Sequence, residues 1–296
     1  MVKNIIRALR LPFLSASVLP FVFGSLIQKY NFNLSGFLWG LIAVIGTHLS
    51  ANLINDYADS KSGVDWQDRN FYGFFGGSKL IQEKVFSEKF YLNLAICFVF
   101  VSAVAITSLA FNLGDFSVVG FYIAIIVLSW AYSKGPLRFS YCKIGELFIF
   151  ILFGPACVMG GYFIQTKIFP DLESFILSLP FGFLTTAILF ANEVPDLAED
   201  RRVGKYTWAS ITGQKYAFLL FALLIILAFF SVFIAVARGY INFIALYSLI
   251  FVIIPFRAAY ILRKYYHDKL RLVESSKLTI ALQTLVSIFL ILSIIR

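Results

Sequence analysis

Charge is scarce in this 296-residue chain, because Asp, Glu, Lys and Arg together make up only 14% of it. Soluble domains carry about 25% charged residues. The composition therefore excludes a soluble globular enzyme, and it equally excludes a disordered chain or a coiled coil. Hydrophobic residues account for 60% of the sequence, and the mean hydropathy is +0.84. We expect an integral membrane protein.

Cysteine is also scarce. The three cysteines are Cys97, Cys142 and Cys157, and they form no CxxC pair or metal-ligand spacing. Their spacing gives no indication of a disulfide scaffold or a redox site. The alternation of polar and apolar residues that is typical of transmembrane strands is absent too. Helices are then the remaining way for an apolar chain to satisfy its backbone hydrogen bonds in lipid.

Long apolar runs fill most of the chain, and a run of about 20 residues is long enough to span a bilayer. Nine runs are present, at about 11–28, 35–55, 91–111, 116–133, 144–165, 173–194, 217–237, 241–261 and 278–295. The fold prediction is an all-α, polytopic membrane bundle of about nine transmembrane helices. We expect residues 1–296 to form one domain.

The basic residues are distributed unevenly between the two sides of the predicted bundle. When the nine spans alternate in direction, 21 of the 25 Lys and Arg residues fall on the side of the N-terminus. The other four are Lys29, Lys167, Arg238 and Arg296. By the positive-inside rule this predicts a cytoplasmic N-terminus and two long cytoplasmic loops, at about 56–90 and 195–216.

Two similar motifs stand where the second and sixth runs end. They are Asn52-x-x-x-Asp56-x-x-Asp59 and Asn192-x-x-x-Asp196-x-x-x-Asp200. Four helices separate the motifs, so both emerge on the same side of the membrane, as a parallel repeat requires. The sequence therefore predicts two four-helix pseudo-repeats followed by one additional helix.

The Asp residues of each motif are three or four positions apart, which places them on one face of a helix. Carboxylates at the membrane boundary are costly and are usually functional. Four of them close together need a cation, and Mg²⁺ characteristically bridges carboxylates to substrate phosphates. The alternative is that the motifs are ordinary solvated helix ends.

Further candidate residues lie on the same side of the predicted bundle. They are the cations Lys79, Lys134, Arg138 and Lys205, and the aromatic Tyr132. Lys and Arg bind phosphate oxygens, and an aromatic face stabilises a nearby cation. His48 is a lone histidine inside a predicted span, where a functional role and a hydrogen-bonded packing role remain equally open.

With these motifs, the chain resembles the UbiA-type intramembrane prenyltransferases over nearly its whole length. The resemblance implies transfer of an isoprenoid chain from a polyprenyl diphosphate to an aromatic acceptor, with Mg²⁺ held between the two Asp motifs. It implies catalytic and metal-binding roles for Asp56, Asp59, Asp196 and Asp200. It implies substrate-binding roles for Asn52, Asn192, Lys79, Tyr132, Lys134, Arg138 and Lys205.

The motif contexts narrow the resemblance. Asn55-Asp-Tyr-Ala-Asp59, Gly76-Gly-Ser-Lys79 and Gly135-Pro through Gly145-Glu146 look like the 1,4-dihydroxy-2-naphthoate prenyltransferases of menaquinone synthesis. That branch implies a multi-pass protein of the bacterial inner membrane with no nucleic-acid partner. Two alternatives stay open: a different acceptor, such as 4-hydroxybenzoate or a lipid, and a secondary transporter.

Overall fold

The computed structural model describes residues 1–28 and 31–295, and within them the regular structure is helical. The α-helices are α1 (Val2–Leu9), α2 (Ser15–Ile27), α3 (Leu34–Ser62), α4 (Glu88–Leu113), α5 (Ser117–Ser133), α6 (Gly145–Ile151), α7 (Cys157–Thr166), α8 (Leu172–Arg202), α9 (Trp208–Thr212), α10 (Ala217–Ala237), α11 (Ile253–Lys264) and α12 (Lys269–Ile295). Short 3-10 segments are Leu11–Phe13, Val64–Trp66, Phe139–Tyr141, Gln214–Tyr216 and Phe243–Val252.

The membrane-spanning helices match the predicted runs. Seven helical segments among the described residues are long and apolar enough to span, and the N-terminal pair, bent by 41°, makes an eighth. The 17-residue α5 is the ninth, shorter than the others. The predicted all-α membrane bundle is confirmed. Lys29 and Arg296, two of the four basic residues assigned to the opposite side, lie outside the described residues.

The two helices that carry the Asp motifs are longer than predicted. α3 continues seven residues beyond position 55 and ends where Gly63 adopts the left-handed conformation, with φ at 86°. Glycine adopts this conformation readily, and it commonly ends helices. α8 runs for 31 residues and includes Pro195. All four motif aspartates therefore lie on rigid helical turns rather than in the loops.

α8 is the central helix of the bundle. Its apolar window is 72% buried, whereas the windows of the other long spans are 28–50% buried. Its neighbours include α6, α10 and α12. Phe181, Phe190 and Val194 of α8 belong to the largest buried apolar cluster. The second Asp motif is thus carried by the most enclosed helix.

α2 and α7 pack with their backbones in close contact. A Cβ atom added to Gly24 would overlap the backbone of Val158, and one added to Gly161 would overlap that of Phe21. Membrane helices use small residues in this way, because dispersion contacts between close backbones replace the hydrophobic driving force that lipid removes. α7 is joined to α6 by a π-helical turn at Leu152–Ala156, and these three segments form one span.

Candidate active site

A cavity of about 570 Å³ runs between α2, α3, α5 and α8 and the π turn. The residues at its polar end include Asp59, Asp65, Asp196 and Asp200. Away from the loops its walls become apolar and include Phe121, Ile125, Phe163 and Ile164. The cavity therefore joins a charged end, suited to a polar head group, to an apolar chamber.

Asp59 of α3 and Asp200 of α8 both face this cavity, although they are far apart in sequence. Asp59 is 8% exposed, and its carboxylate forms no hydrogen bond with the described residues. Asp200 is 2% exposed and pairs with Lys205, with 3.2 Å between Nζ and Oδ1. Its Oδ2 atom is buried and has no partner among the described residues. Carboxylate oxygens from both motif helices thus remain available to a ligand.

Lys205 lies three residues beyond the end of α8, and its backbone N–H donates to the carbonyl of Asp200 at 2.9 Å. Burial alone would lower the pKa of Lys205. The negative charges of Asp200 and Asp59 outweigh this and raise its pKa well above the usual value. Lys205 therefore stays cationic beside the cavity.

The first loop folds back over the cavity through two glycines. The N–H of Gly76 donates to Oδ2 of Asp196 at 2.8 Å, which connects the loop to α8. Gly76 and Gly77 have φ values of 71° and 78°. A Cβ atom on Gly77 would lie about 2.5 Å from Oδ2 of Asp65. Glycine is required at this turn both by the backbone angle and by the close carboxylate.

Lys79 is buried against Asp65, with 3.0 Å between Nζ and Oδ1, and it also donates to the Asp65 carbonyl. Burial and the charge of nearby Asp59 together raise the pKa of the Asp65 carboxyl to about 7, and Lys79 opposes the shift. The pair lies at the cavity wall and fixes the loop to the end of α3.

Asp56 has a different environment from the other three motif aspartates. It forms an ion pair with Arg10, and it accepts a hydrogen bond from the backbone N–H of Ser78 at 3.2 Å. The Ser78 hydroxyl in turn bonds the hydroxyl of Tyr91 at 2.6 Å. Asp56 is not among the residues that line the cavity, whereas Arg10 is.

Lys269, the first residue of α12, joins the first loop to α8. Its Nζ atom lies 2.9 Å from Oδ2 of Asp68 and 3.0 Å from Oε1 of Glu199. Partial burial alone would raise the pKa of Asp68. Hydrogen bonds from the Asn70 N–H and from Lys269 outweigh it and lower this pKa to about 2.

The structure brings some of the remaining predicted residues to the cavity and leaves others outside it. Asn52, Asn192 and Tyr132 line it. Asn52 also donates to the carbonyl of Leu9 at 3.1 Å, and the Oδ1 atom of Asn192 is buried without a partner among the described residues. Lys134 and Arg138 are exposed and do not line it. Their role in binding diphosphate stays a prediction.

Comparison with known families decides the assignment. The model of the UbiA prenyltransferase family matches residues 17–277. This chain is a UbiA-family protein. The assignment confirms the resemblance carried by the two Asp motifs and sets the transporter alternative aside.

Curated members of the family give two groups of relatives. The chain is 30% identical over 219 residues to 1,4-dihydroxy-2-naphthoate octaprenyltransferase of Bacillus subtilis, covering 71% of this chain and 66% of that one. It is 28% identical over 231 residues to UbiA prenyltransferase domain-containing protein 1 of Xenopus tropicalis, covering 76% and 64%. The matched regions thus span slightly less than two thirds of these relatives' length.

Solved UbiA structures share the fold. A UbiA homologue from Aeropyrum pernix, in its apo form, superposes with a TM-score of 0.70 at 16% identity, covering 94% of this chain and 97% of the other. A homologue from Archaeoglobus fulgidus, solved with GPP and Mg²⁺, gives 0.59 at 13% identity, covering 97% and 99%. The nearly complete coverage shows that the whole helical bundle is the UbiA fold.

The oxygen donors at the polar end fit the divalent cation that the family implies. The carboxylate of Asp59 and the Oδ2 atom of Asp200 come from different helices and have no hydrogen-bond partner in the described residues. Within that part of the chain, no three acidic, histidine or cysteine side chains converge to enclose one ion. Such an open set suits Mg²⁺, which keeps several waters and uses one or two carboxylates together with substrate phosphates.

Several residues of the site were not predicted from the sequence. Arg10 and Lys269 contribute only to the basic total that predicts the orientation, and Glu193 has no predicted role. Their partners are distant in sequence: Asp56 is 46 residues from Arg10, and Asp68 is 201 from Lys269. No sequence spacing indicates pairs of this kind.

His48 has the packing role that was left open and also faces the cavity. Its Nδ1 atom lies 2.7 Å from the Ser17 hydroxyl, and its ring meets Phe153 edge to face. It lines the cavity between the polar end and the apolar chamber. The hydrogen bond satisfies one ring nitrogen in an otherwise apolar stretch of wall.

Proposed function

We propose that this protein transfers an isoprenoid chain from a polyprenyl diphosphate to an aromatic acceptor. One observation carries the proposal: carboxylates from α3 and α8 meet at the polar end of a cavity whose other end is apolar. A diphosphate ester with a hydrocarbon tail has the same division between charge and hydrocarbon. An apolar chamber among membrane helices accepts the tail without exposing it to water.

The diphosphate would lie at the polar end, and Mg²⁺ bound there supplies charge neutralisation and Lewis acidity to the departing diphosphate. Asp59, Asp196 and Asp200 are the residues that would hold the metal, with Asp56 joining them when its pair with Arg10 opens. They are fixed on helical turns, so they need little reorganisation, and that is the condition for effective electrostatic stabilisation.

The cations of the chain act on the leaving group. Lys205 and Lys79 border the cavity, and each has a carboxylate partner that keeps it in place. Negative charge grows on the diphosphate oxygens as the C–O bond breaks, and fixed cations stabilise that charge. Asn52 and Asn192 orient the diphosphate, and the face of Tyr132 stabilises the allylic cation.

For the acceptor we propose 1,4-dihydroxy-2-naphthoate. The sequence contexts around Gly76-Gly-Ser-Lys79 and Gly135-Pro through Glu146 support it, and so does the name of the Bacillus subtilis relative. Relatives named UbiA prenyltransferase domain-containing protein 1 match at similar identity, so the motifs carry more of this argument than the names. A different aromatic or lipid acceptor is the alternative.

We also propose that the N-terminus and the polar end of the cavity face the cytoplasm of a bacterial inner membrane. The excess of basic residues in the loops on that side supports this orientation. Cysteine labelling at position 3, with and without permeabilisation, tests it. Labelling of position 3 from outside intact cells would show that the protein has the opposite orientation.

A direct assay tests the activity. Purified protein with Mg²⁺ and geranyl diphosphate is offered 1,4-dihydroxy-2-naphthoate, 4-hydroxybenzoate and homogentisate side by side, and the products are identified by mass. We expect a prenylated naphthalene product that has lost CO₂. A higher kcat/KM for 4-hydroxybenzoate would overturn the proposed identity of the acceptor. Failure to form a product with any of the three acceptors would overturn the proposed function.

A further inference from the structure

Glu193 faces the cavity, and the mechanism above gives it no role. Its side chain is 6% exposed, it lines the cavity, and its Oε2 atom has no hydrogen-bond partner in the described residues. It precedes Asp196 by three residues, which corresponds to about 4.5 Å along the axis of α8. An unpartnered buried carboxyl oxygen is costly, so a residue of this kind calls for a ligand.

A second buried carboxyl lies beside it. Glu146, in the first turn of α6, is 1% exposed, and its carboxyl is within hydrogen-bonding distance of that of Glu193. The Oε1 atom of Glu146 accepts the backbone N–H of Trp208, and its Oε2 atom has no other partner in the described residues. Two carboxylates in contact do not both stay ionised, so the pair shares one proton and carries one negative charge.

Tyr132 and Lys205 complete the surroundings of this pair. A Cβ atom on Gly145 would lie 3.2 Å from a ring carbon of Tyr132, so the ring packs against the residue that precedes Glu146. The charges of Lys205 and Asp200 also act on Glu193. The pair therefore lies between the carboxylates of the polar end and the apolar chamber.

The reacting atoms of the two substrates would lie at the depth of Glu193 in the cavity. A prenyl diphosphate with its head at the polar end and its tail in the chamber has its reactive carbon between the two. The attacking ring of the acceptor must approach that carbon. Its hydroxyl group is then close to the unpartnered Oε2 atom of Glu193. Glu199 also lines the described cavity wall with an unpartnered Oε2 atom, but it lies six residues further along α8 towards the loops.

We propose that Glu193 accepts the proton of the acceptor's ring hydroxyl, and that Glu146 positions it. This inference rests on the proposed function and adds the base to it. The singly charged pair becomes neutral when it takes up that proton. A neutral pair is the form that a buried environment favours.

The electrons and protons balance. The O–H electron pair of the acceptor moves into the ring, a bond forms from the ring carbon to the first carbon of the prenyl chain, and the C–O bond to diphosphate breaks with its electron pair on the diphosphate. The hydroxyl proton rests on Glu193. When CO₂ leaves the substituted ring carbon, its bonding electrons restore aromaticity, and the proton returns to the ring oxygen.

The test compares Glu193→Gln and Glu146→Gln with the wild-type protein, in detergent with Mg²⁺ and geranyl diphosphate. General-base catalysis contributes about 10²–10⁴-fold. We therefore expect Glu193→Gln to lower kcat by about 10²-fold or more, with the KM for geranyl diphosphate within about twofold of wild type. Glu146→Gln should lower kcat less, because the base itself remains.

A second acceptor separates a base from a structural residue. Ring-fluorinated 1,4-dihydroxy-2-naphthoate has a more acidic hydroxyl and depends less on a base, so the loss in Glu193→Gln should shrink at least tenfold with it. Equal losses with both acceptors, or turnover within threefold of wild type, would overturn the inference and leave the proposed function standing. An inactive wild-type protein would overturn both. Glu173→Gln, at the opposite end of α8, is the matched control and should behave as wild type.

Discussion

The buried pair of Lys79 and Asp65 gives the sharpest test of how the first loop is held over the cavity. The two side chains are 3% and 6% exposed. Removing one partner of a buried ion pair costs about 3–5 kcal/mol, because the other group must then either stay buried as an unpaired charge or take up a proton. About 2 °C in Tm corresponds to 1 kcal/mol for a large chain. Lys79→Met should therefore lower Tm by about 6–10 °C at pH 8.

The loss of stability in Lys79→Met should depend on pH, in a direction that follows from the pKa of Asp65. With Lys79 present, the pKa of Asp65 is about 7, so the carboxyl is mostly ionised at pH 8 and mostly neutral at pH 6. Without Lys79 it stays neutral at both. Because the carboxyl of the unfolded chain is ionised at both pH values, the wild-type protein loses about 1.4 kcal/mol of stability from pH 6 to pH 8, whereas a variant that keeps the carboxyl neutral loses about 2.7 kcal/mol. The loss of Tm in Lys79→Met should be larger at pH 8 by about 3 °C.

Thermal unfolding in detergent measures this, and a double variant supplies the control. Lys79→Met/Asp65→Asn leaves no charge at this site and should recover most of the lost Tm. The site should then contribute no change in the Tm of this double variant between pH 6 and pH 8. Its KM for prenyl diphosphate should stay raised, because the cation at the cavity wall is still missing. An unchanged Tm in the single variant would refute the structural role of the pair, and a KM restored in the double variant would refute the diphosphate role of Lys79.

Three further predictions follow from the site and the helix packing. Asp59→Ala should lower turnover by about 10²-fold or more, and EDTA should abolish wild-type activity until Mg²⁺ is restored; normal turnover in EDTA would contradict the metal site. The pKa of Asp68 is lowered to about 2, so its stabilisation is present above about pH 4 and is lost as the pH falls through 2. The Tm difference between Asp68→Asn and wild type should shrink over that range, and a constant difference would count against it. Gly24→Ala should cost about 1–3 kcal/mol through overlap with Val158, whereas Gly120→Ala, which meets nothing within 4 Å, should not destabilise the helix; equal melting of the two variants would show that α2 can shift.

The sequence predicted the bundle well because the signal for a membrane helix is local. An apolar run of sufficient length has few other ways to satisfy its backbone in lipid, so the positions of the spans follow from the residues in each run. The Asp motifs were predictable for the same reason: both occur at helix ends, and one helical turn relates the residues within each motif. The ends of α3 and α8 were placed too early, because polar residues in a helix that leaves the membrane resemble a loop.

The partners of the site residues could not be predicted, because tertiary packing selects them. Asp56 and Asp59 are equivalent in the sequence motif, yet one pairs with Arg10 and the other faces the cavity. Nothing within the motif distinguishes them. The pair of Glu146 and Glu193 depends likewise on how α6 approaches α8, and the approach of two helices is set by side chains far from either glutamate.

The contacts of Lys269 have a consequence for the order in which the protein is made. This residue neutralises Asp68 of the first loop and Glu199 of α8, and it is synthesised after both. Until the last helix leaves the ribosome, these two acidic side chains lack their cation, so the polar end of the cavity is incomplete in every shorter nascent chain. Premature termination before position 269 would leave eight spans inserted in the membrane and an unfinished active site at their end.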